Sequence, residues 1–331
     1  MAHEQEQHQG DEQEEQQAQK LKPQRAGGRR GHDGRRLSHK QTPWNRRTLA
    51  ARPAVLLFLP ASRRGSPRQP ALYRTSRDLV ALLSAGADGS HGKEEGTRLK
   101  NLEDAKVVVA GGAGGVGEGI VLALLRQRAR VVVTSRSEAK LRELQTLCRD
   151  VGTGELIPLV GDLSTEAAAR ELQNRLHAIF REVDVVVASL GSWWQGSPLT
   201  SVDVLVWERI LQDNLTCNLL AVKVLVPLLA PKTGRYVHIN SFSAEQSLPQ
   251  AGPMAMVAAA QKSMALTLAE ELKPVGIRVF ELILGPVKTR QRARTGNARP
   301  DWYSSEEVGD YVVGLLTGSN KEVVHHLLRK R

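Results

Sequence analysis

The chain has 331 residues and a formal net charge of +11. Its two cysteines, Cys148 and Cys217, are too few for a disulfide scaffold and show no metal-ligand spacing, so we expect no metal site. No stretch reaches the roughly 18–20 apolar residues that cross a bilayer, so we expect no membrane span.

The first hundred residues differ in composition from the rest of the chain. Residues 3–19 are rich in Gln and Glu, and such a run buries too little apolar surface to offset the entropy lost on ordering. Residues 1–100 carry 19 Lys and Arg against 11 Asp and Glu. We therefore predict a disordered N-terminal extension over 1–100 and a single folded domain over 101–331. Most of the excess positive charge lies in the extension, so the domain gives no reason to expect nucleic acid as a partner.

The segment 20–77 bears on the location of the protein. It is rich in arginine, and Asp33 is its only acidic residue. This composition is typical of an organellar transit peptide, but such peptides normally start at the first residue, whereas here an acidic run comes first. We expect a cytoplasmic protein and leave organellar import open.

A glycine-rich turn joins the first predicted strand to the first predicted helix. Residues 105–110 form a short β-branched run typical of a buried strand, an apolar helix follows at 120–125, and a second strand is predicted at 130–134. Glycines permit the tight turn and let the backbone approach a pyrophosphate, which then meets the N–H groups of the helix N-terminus. Two spacings fit, G-x-G-x-x-G from Gly112 and G-x-x-x-G-x-G from Gly111. The sequence predicts a dinucleotide site.

The residue after the second strand indicates which dinucleotide is bound. An acidic residue there would bind the ribose 2′-hydroxyl of NAD, and none is present. Arg136 can instead pair with the 2′-phosphate of NADP in a charge-assisted contact. We therefore expect NADP(H) to be favoured over NAD(H).

Further motifs follow in a fixed order. They are LVGDLS at 159–164, DVVVA at 184–188, DNL at 213–215, GRYVHINS at 234–241 and GPVKT at 285–289. In this order and spacing, residues 104–318 resemble the short-chain dehydrogenase/reductase family.

The resemblance implies a fold and a set of site residues. The fold is α/β, a Rossmann-type doubly wound parallel sheet in a single domain, which agrees with the predicted alternation of strands and helices. By the resemblance, Ser241 orients the substrate oxygen, and Asn214 has a structural and proton-relay role. The residues implied to bind the cofactor lie in the glycine turn and after successive strands: Gly111, Ala113, Gly115, Val116, Gly117, Arg136, Asp162, Leu163, Gly191 and Thr289.

The family resemblance also implies an oligomer and a last strand near the C-terminal end of the domain. The family is usually dimeric or tetrameric through long helices, so a homodimer or homotetramer formed by 219–229 and 255–272 is implied. A last strand is expected within 322–328, although the family's usual glycine-rich ending is missing there.

The catalytic positions depart from the family pattern. The family uses a tyrosine as proton donor and a lysine four residues later. The spacing from Ser241 puts Met254 at the tyrosine position and Ala258 at the lysine position, while Lys262 lies one helical turn further on. A thioether and a methyl group donate no proton. Two interpretations stay open: an NADP(H)-dependent oxidoreductase acting on a small carbonyl or alcohol with non-standard or weak catalysis, or a catalytically inactive NADP(H)-binding sensor or scaffold.

The loop after the fourth predicted strand carries two adjacent tryptophans, Trp193 and Trp194. Together with Met254 they are candidates for the wall of a pocket for a small-molecule substrate. A lid that packs on the domain without touching a ligand is the alternative. His238, on the fifth predicted strand, is interpreted as a buried structural histidine.

Overall fold

The computed structural model of the chain describes residues 101–151 and 154–330. The predicted extension at 1–100 lies outside these residues. Over the described ranges the strands are β1 Lys106–Ala110, β2 Arg130–Ser135, β3 Glu155–Val160, β4 Val185–Ala188, β5 Arg235–Ser241, β6 Arg278–Leu284 and β7 Val324–Leu327. They form one sheet in the order β3-β2-β1-β4-β5-β6-β7, and every neighbouring pair is parallel.

Helices connect successive strands and cover both faces of the sheet. They are α1 Gly115–Arg126, α2 Glu138–Cys148, α3 Glu166–Ile179, α4 Val204–Leu211, α5 Cys217–Leu225, α6 Gly252–Leu272, α7 Arg290–Arg294 and α8 Ser305–Thr317. The short π-helical segment Gln212–Thr216 joins α4 to α5. None of the helices in these ranges is both long and apolar enough to cross a membrane.

The central strands are buried on both faces because their side chains are small, apolar and β-branched. Val107 and Val109 pack with α1, α2 and α8 on one face, and Val108 and Ala110 pack with α3, α5 and α6 on the other. This alternation follows from the two-residue period of a strand. The prediction of a doubly wound parallel sheet is confirmed.

The order of the strands places a crevice beside β1. The chain passes from β1 to β2 and β3 on one side, and then returns to β4 on the other side of β1. Connections that leave in opposite directions open a crevice at the carboxyl ends of these strands, where ligands of such sheets bind. Gly119 and Gly309 let α8 cross closely over α1, and Ser305 Oγ donates to the Gly115 carbonyl at 2.6 Å.

Two ionisable side chains lie side by side in the core on β5 and β6. His238 and Glu281 are register partners, and both are fully buried. Burial lowers the pKa of His238 to about 4, and its Nε2 lies 3.2 Å from Gln261 Oε1. Burial raises the pKa of Glu281 to about 7, although Asn240 Nδ2 donates to one carboxylate oxygen at 2.7 Å. His238 is thus a buried core histidine, as interpreted from the sequence, but its hydrogen bonding is incomplete, since Nδ1 has no partner among the described residues.

Glu281 makes the stability of the protein depend on pH. Its pKa is higher in the folded chain than in the unfolded chain, so its contribution to stability is complete below about pH 4.5 and is lost as the pH rises through about 7. We expect Glu281→Gln, which cannot ionise, to remove a loss on the order of 3 kcal/mol between pH 5 and 8. In thermal unfolding experiments across this range, the melting temperature of the variant should rise relative to that of the wild type as the pH increases.

Glu271→Gln is the matched control, because Glu271 is an exposed carboxylate on α6. Its difference in melting temperature from the wild type should stay constant over the same range. A constant difference for Glu281→Gln as well would contradict the raised pKa.

Candidate functional site

A cleft of about 680 Å³ opens at the carboxyl edge of the sheet, at the crevice beside β1. Its walls come from the glycine turn, the loop after β4, the end of β5, the first turns of α6 and the segment after β6. The predicted site residues that line it are Gly115, Val116, Gly191, Trp193, Asn214, Ser241, Met254 and Thr289. Gly111, Ala113 and Gly117 belong to the turn itself, whereas Arg136, Asp162, Leu163 and Trp194 lie outside the lining.

The glycine turn is tight because the backbone passes very close to itself. Gly111 has a φ of +77°, and a Cβ there would overlap the carbonyl oxygen of Ser189. A Cβ on Gly117 would lie 2.5 Å from the carbonyl oxygen of Gly111. Neither position accepts a larger residue. The tight turn that these glycines permit places the N-terminus of α1 at the cleft.

The remaining glycines of the turn have different surroundings. A Cβ on Gly112 would face the side chains of Val133 and Val109 in the core, whereas Gly114 and Gly115 line the cleft. A Cβ on Gly114 would meet the Gly111 carbonyl oxygen at 3.2 Å, with no other atom of the described residues within 4 Å. Gly114 therefore keeps space open beside the N-terminus of α1.

Arg136 follows the end of β2 and keeps its charge largely in solvent. Its side chain is 67% exposed, and Nη1 lies 3.6 Å from Asp213 Oδ1. Such a weak ion pair leaves the guanidinium able to bind another anion.

The segment after β3 carries Asp162 and Leu163. Asp162 Oδ1 accepts from the Ser164 amide at 3.0 Å, and its second oxygen accepts from the Ser164 hydroxyl. Leu163 is buried.

Asn214, on the π-helical segment, joins the loop after β4 to α6. Its side-chain oxygen accepts from the Ser192 amide at 3.0 Å, and its amide donates to the Ile210 carbonyl at 3.0 Å. Its own carbonyl accepts from Gln261 Nε2 at 2.7 Å and from Asn218 Nδ2 at 2.6 Å. The side chain and the backbone carbonyl of this residue are therefore both held by the framework.

Ser241 ends β5 with its hydroxyl at the cleft. Its Oγ accepts from the Ser243 amide at 3.2 Å and from the Ser243 hydroxyl at 3.0 Å, while its own amide donates to Asn240 Oδ1 at 2.7 Å. A hydroxyl has two lone pairs and one hydrogen. With both lone pairs occupied, the Ser241 hydrogen is left for an acceptor in the cleft.

Met254 and Ala258 are buried on α6 and form part of the cleft wall. Lys262, one turn further along, pairs with Glu245 at 2.6 Å and is not part of the lining. Among the described residues that line the cleft, none is a tyrosine or a lysine.

Of the two tryptophans in the loop after β4, one lies in the wall of the cleft and the other packs on the domain. Trp193 lines the cleft and is 44% exposed, whereas Trp194 packs on the apolar cluster of Ile210, Ala251, Met254 and Val257. Sequence reasoning missed three lining residues in the segment after β6: Gln291, Arg292 and Trp302. No motif marks them, since they follow the last recognisable pattern at 285–289 and the helix there, α7, has only 5 residues. It also missed Gln261, which sits on α6 among residues with the ordinary helical pattern.

Comparison with known proteins places these features in a family. A family model described as enoyl-(acyl carrier protein) reductase matches residues 111–312. A short chain dehydrogenase/reductase of Macrophomina phaseolina is 32% identical over 119 residues, covering 36% of this chain and 68% of that protein. The rhamnolipids biosynthesis 3-oxoacyl-[acyl-carrier-protein] reductase of Pseudomonas aeruginosa is 30% identical over 196 residues, covering 57% of this chain and 75% of that protein.

A solved structure agrees in fold. The Pseudomonas aeruginosa RhlG/NADP active-site complex has a TM-score of 0.61 and 24% identity, and it covers 69% of this chain and 96% of that chain. The parallel sheet, the glycine turn and the family match agree with one another. The chain belongs to the short-chain dehydrogenase/reductase family.

Proposed function

We propose that this protein is an NADP(H)-dependent oxidoreductase that acts on a small carbonyl or alcohol without the family's tyrosine and lysine. The observation that carries the proposal is the convergence, in one cleft, of the glycine turn and the Ser241 hydroxyl. Ser241 faces that cleft with both lone pairs occupied and its hydrogen available. Arg136 directly follows β2, where a residue of this family would contact the adenosine half of the cofactor.

The glycine-lined part of the cleft fits a diphosphate because no side chain projects from Gly114 or Gly115. Gly114 and Gly115 line it beside the N-terminus of α1, where backbone N–H groups and the helix dipole favour a diphosphate. Arg136 would hold the 2′-phosphate, Asp162 and Leu163 the adenine, and Gly191 and Thr289 the nicotinamide half. When bound, the nicotinamide supplies or accepts the hydride.

The comparisons favour the phosphorylated nucleotide. The RhlG structure is described as an NADP complex, and so is a metagenomic short-chain oxidoreductase with a TM-score of 0.58 and 23% identity. Those two proteins bind NADP. The cation at Arg136 is the feature of this chain that supports the same choice.

Ser241 would donate its hydroxyl hydrogen bond to the substrate oxygen and so hold the carbonyl in place. The Ser243 hydroxyl donates to Ser241 Oγ and so leaves the Ser241 hydrogen for the substrate oxygen, while the proton that a carbonyl reduction consumes would come from water in the cleft. Met254 and Ala258 add no acid, so rate enhancement would depend on position and proximity. We infer a preference for activated carbonyls and a low turnover rate.

A second candidate is an NADP(H)-binding sensor or scaffold without turnover. The observation that favours it is the apolar wall that Met254 and Ala258 form at the catalytic positions. The fixed pairing of Lys262 with Glu245 also keeps that cation away from the cleft.

Assembly as a homodimer or homotetramer is part of the proposal. Leu219 on α5 and Met256 and Leu266 on α6 are apolar and between 39% and 51% exposed. They lie in the two segments from which the family resemblance implies contact. Burial of such side chains in a partner would remove them from water.

Arg136→Ala should weaken NADPH binding by about tenfold or more, because a charge-assisted contact to a phosphate contributes roughly 1.5–3 kcal/mol. NADH affinity should change little. Titration of the full chain with each nucleotide, followed by tryptophan fluorescence, measures both. Arg142→Ala is the control, since Arg142 is another exposed arginine that pairs with a glutamate. Equal effects of Arg136→Ala on the two nucleotides would sink the NADP assignment.

Ser241→Ala should lower kcat by about a hundredfold while leaving the affinity for NADPH unchanged, as expected when one donor to the reacting oxygen is lost. The assay follows NADPH oxidation with a panel of α-diketones and quinones. Ser247→Ala removes an exposed hydroxyl from the same loop and is the control. A wild-type protein that binds NADPH tightly but oxidises none of it would support the sensor or scaffold instead.

A further inference from the structure

Arg292, on α7, is the one ionisable side chain among the described residues that line the cleft. The other lining residues are uncharged, and some of them are apolar and others polar. The large aromatic rings among them are Trp193, Phe242 and Trp302. The cleft therefore offers a bound molecule one positive charge and, from the residues that the structure describes, no negative charge.

The Arg292 guanidinium is held in place without a carboxylate. Nη1 donates to the Val287 carbonyl at 3.0 Å, and Cζ lies 5.6 Å from the centre of the Trp302 ring. Within the described ranges no Asp or Glu oxygen comes within 4.0 Å of it. Burial lowers the pKa of this guanidinium, and no nearby carboxylate offsets that effect.

The neighbouring arginines differ from Arg292 in this respect. Arg290 on the same helix pairs with Glu118 at 2.7 Å, and Arg329 pairs with Asp301 at 3.3 Å. Those two charges are compensated within the chain. The half-buried Arg292 has the stronger need of a counter-ion, because a partly desolvated cation without one is costly.

Trp302 adds a second donor without an acceptor in this part of the chain. Its indole Nε1 is buried and makes no hydrogen bond within the described structure. An indole nitrogen donates only, and a guanidinium has five N–H donors and no acceptor. Because the indole nitrogen is buried, the guanidinium is the donor in this corner of the cleft whose chemistry recognises oxyanions.

We propose that the substrate carries an anionic oxygen group, a carboxylate or a phosphate, that pairs with the Arg292 guanidinium while its apolar part packs against Trp193 and Trp302. The inference rests on the proposed function and narrows its substrate class from small carbonyl compounds to anionic ones. One other oxyanion is within reach, the cofactor diphosphate, because Thr289 at the start of α7 touches Gly115. The shared chemistry is an oxyanion on Arg292, and the experiment separates the two sources.

The test compares two probes of equal shape, cyclohexanecarboxylate and cyclohexanecarboxamide, on the full chain at neutral pH. Ligand-observed NMR gives the dissociation constant of each, with and without saturating NADP⁺. The wild type should bind the carboxylate about tenfold or more tightly than the carboxamide. Arg292→Gln should remove this preference and leave NADPH affinity unchanged. Arg294→Gln, on the exposed side of the same helix, is the matched control and should retain both.

Each other outcome decides against one claim. Equal binding of the two probes to the wild type, or binding of neither, overturns the anionic substrate. A fall in NADPH affinity in Arg292→Gln with the carboxylate preference retained assigns the guanidinium to the cofactor diphosphate and also overturns it. A wild type that prefers the carboxylate but binds no NADPH keeps the anion subsite and contradicts the proposed function.

Discussion

The close passage of the backbone between β1 and α1 is the constraint on which the rest of the site depends. Gly111 lies against the Ser189 carbonyl beyond β4, and Gly117 lies against Gly111 itself. These contacts fix β1, β4 and α1 relative to one another at the point where the strand order reverses. The crevice and the exposed N-terminus of α1 are direct consequences, and they form the glycine-lined part of the cleft.

The second half of the site combines a network of polar groups with an apolar wall, in which Met254 and Ala258 stand where we expected the family's tyrosine and lysine. Asn214 accepts from the Ser192 amide in the loop after β4 and from Gln261 on α6, and so ties these two segments together. Gln261 Oε1 in turn lies 3.2 Å from His238 Nε2, while His238 Nδ1 and one Glu281 oxygen have no hydrogen-bond partner among the described residues. Met254 and Ala258 bring only apolar atoms to the cleft wall, so they add no unpaired polar group behind it. The proposed oxidoreductase and the alternative sensor are therefore both compatible with this wall.

Much of the fold could be predicted from the sequence because it depends on local and periodic signals. The β-branched runs of β1, β2 and β4 and the glycine turn are continuous in sequence, and the structure has them within one residue of their predicted starts. The sequence around the glycine turn could not decide between the two glycine spacings. It required knowing that Gly112 faces Val133 in the core while Gly115 faces the cleft, and this depends on tertiary packing.

The candidate site was predicted less completely because its walls come from segments far apart in sequence. Asn214 and Ser241 follow strands or lie in recognisable motifs, so their arrival at one sheet edge could be anticipated. Arg292 lies on the short helix α7 and Trp302 in the loop before α8, and neither segment is long enough to show a periodic pattern in the sequence. Trp193 and Trp194 are adjacent, yet one faces the cleft and the other the core, because an extended loop turns successive side chains to opposite sides.

The central claim is that the glycine-lined space beside the N-terminus of α1 holds a nicotinamide nucleotide, and Gly114→Val tests it most directly. Gly114 has an extended backbone with φ of −90° and ψ of 167°, which valine adopts readily, and its side chain would project into the cleft. Calorimetric titration with NADPH should show binding reduced by about a hundredfold or more, equivalent to roughly 3 kcal/mol, and a melting curve checks that the variant, whose Cβ would meet the Gly111 carbonyl oxygen at 3.2 Å, is folded. Gly314→Val on the exposed face of α8 should leave binding intact. NADPH binding by Gly114→Val as tight as by the wild type would contradict the claim.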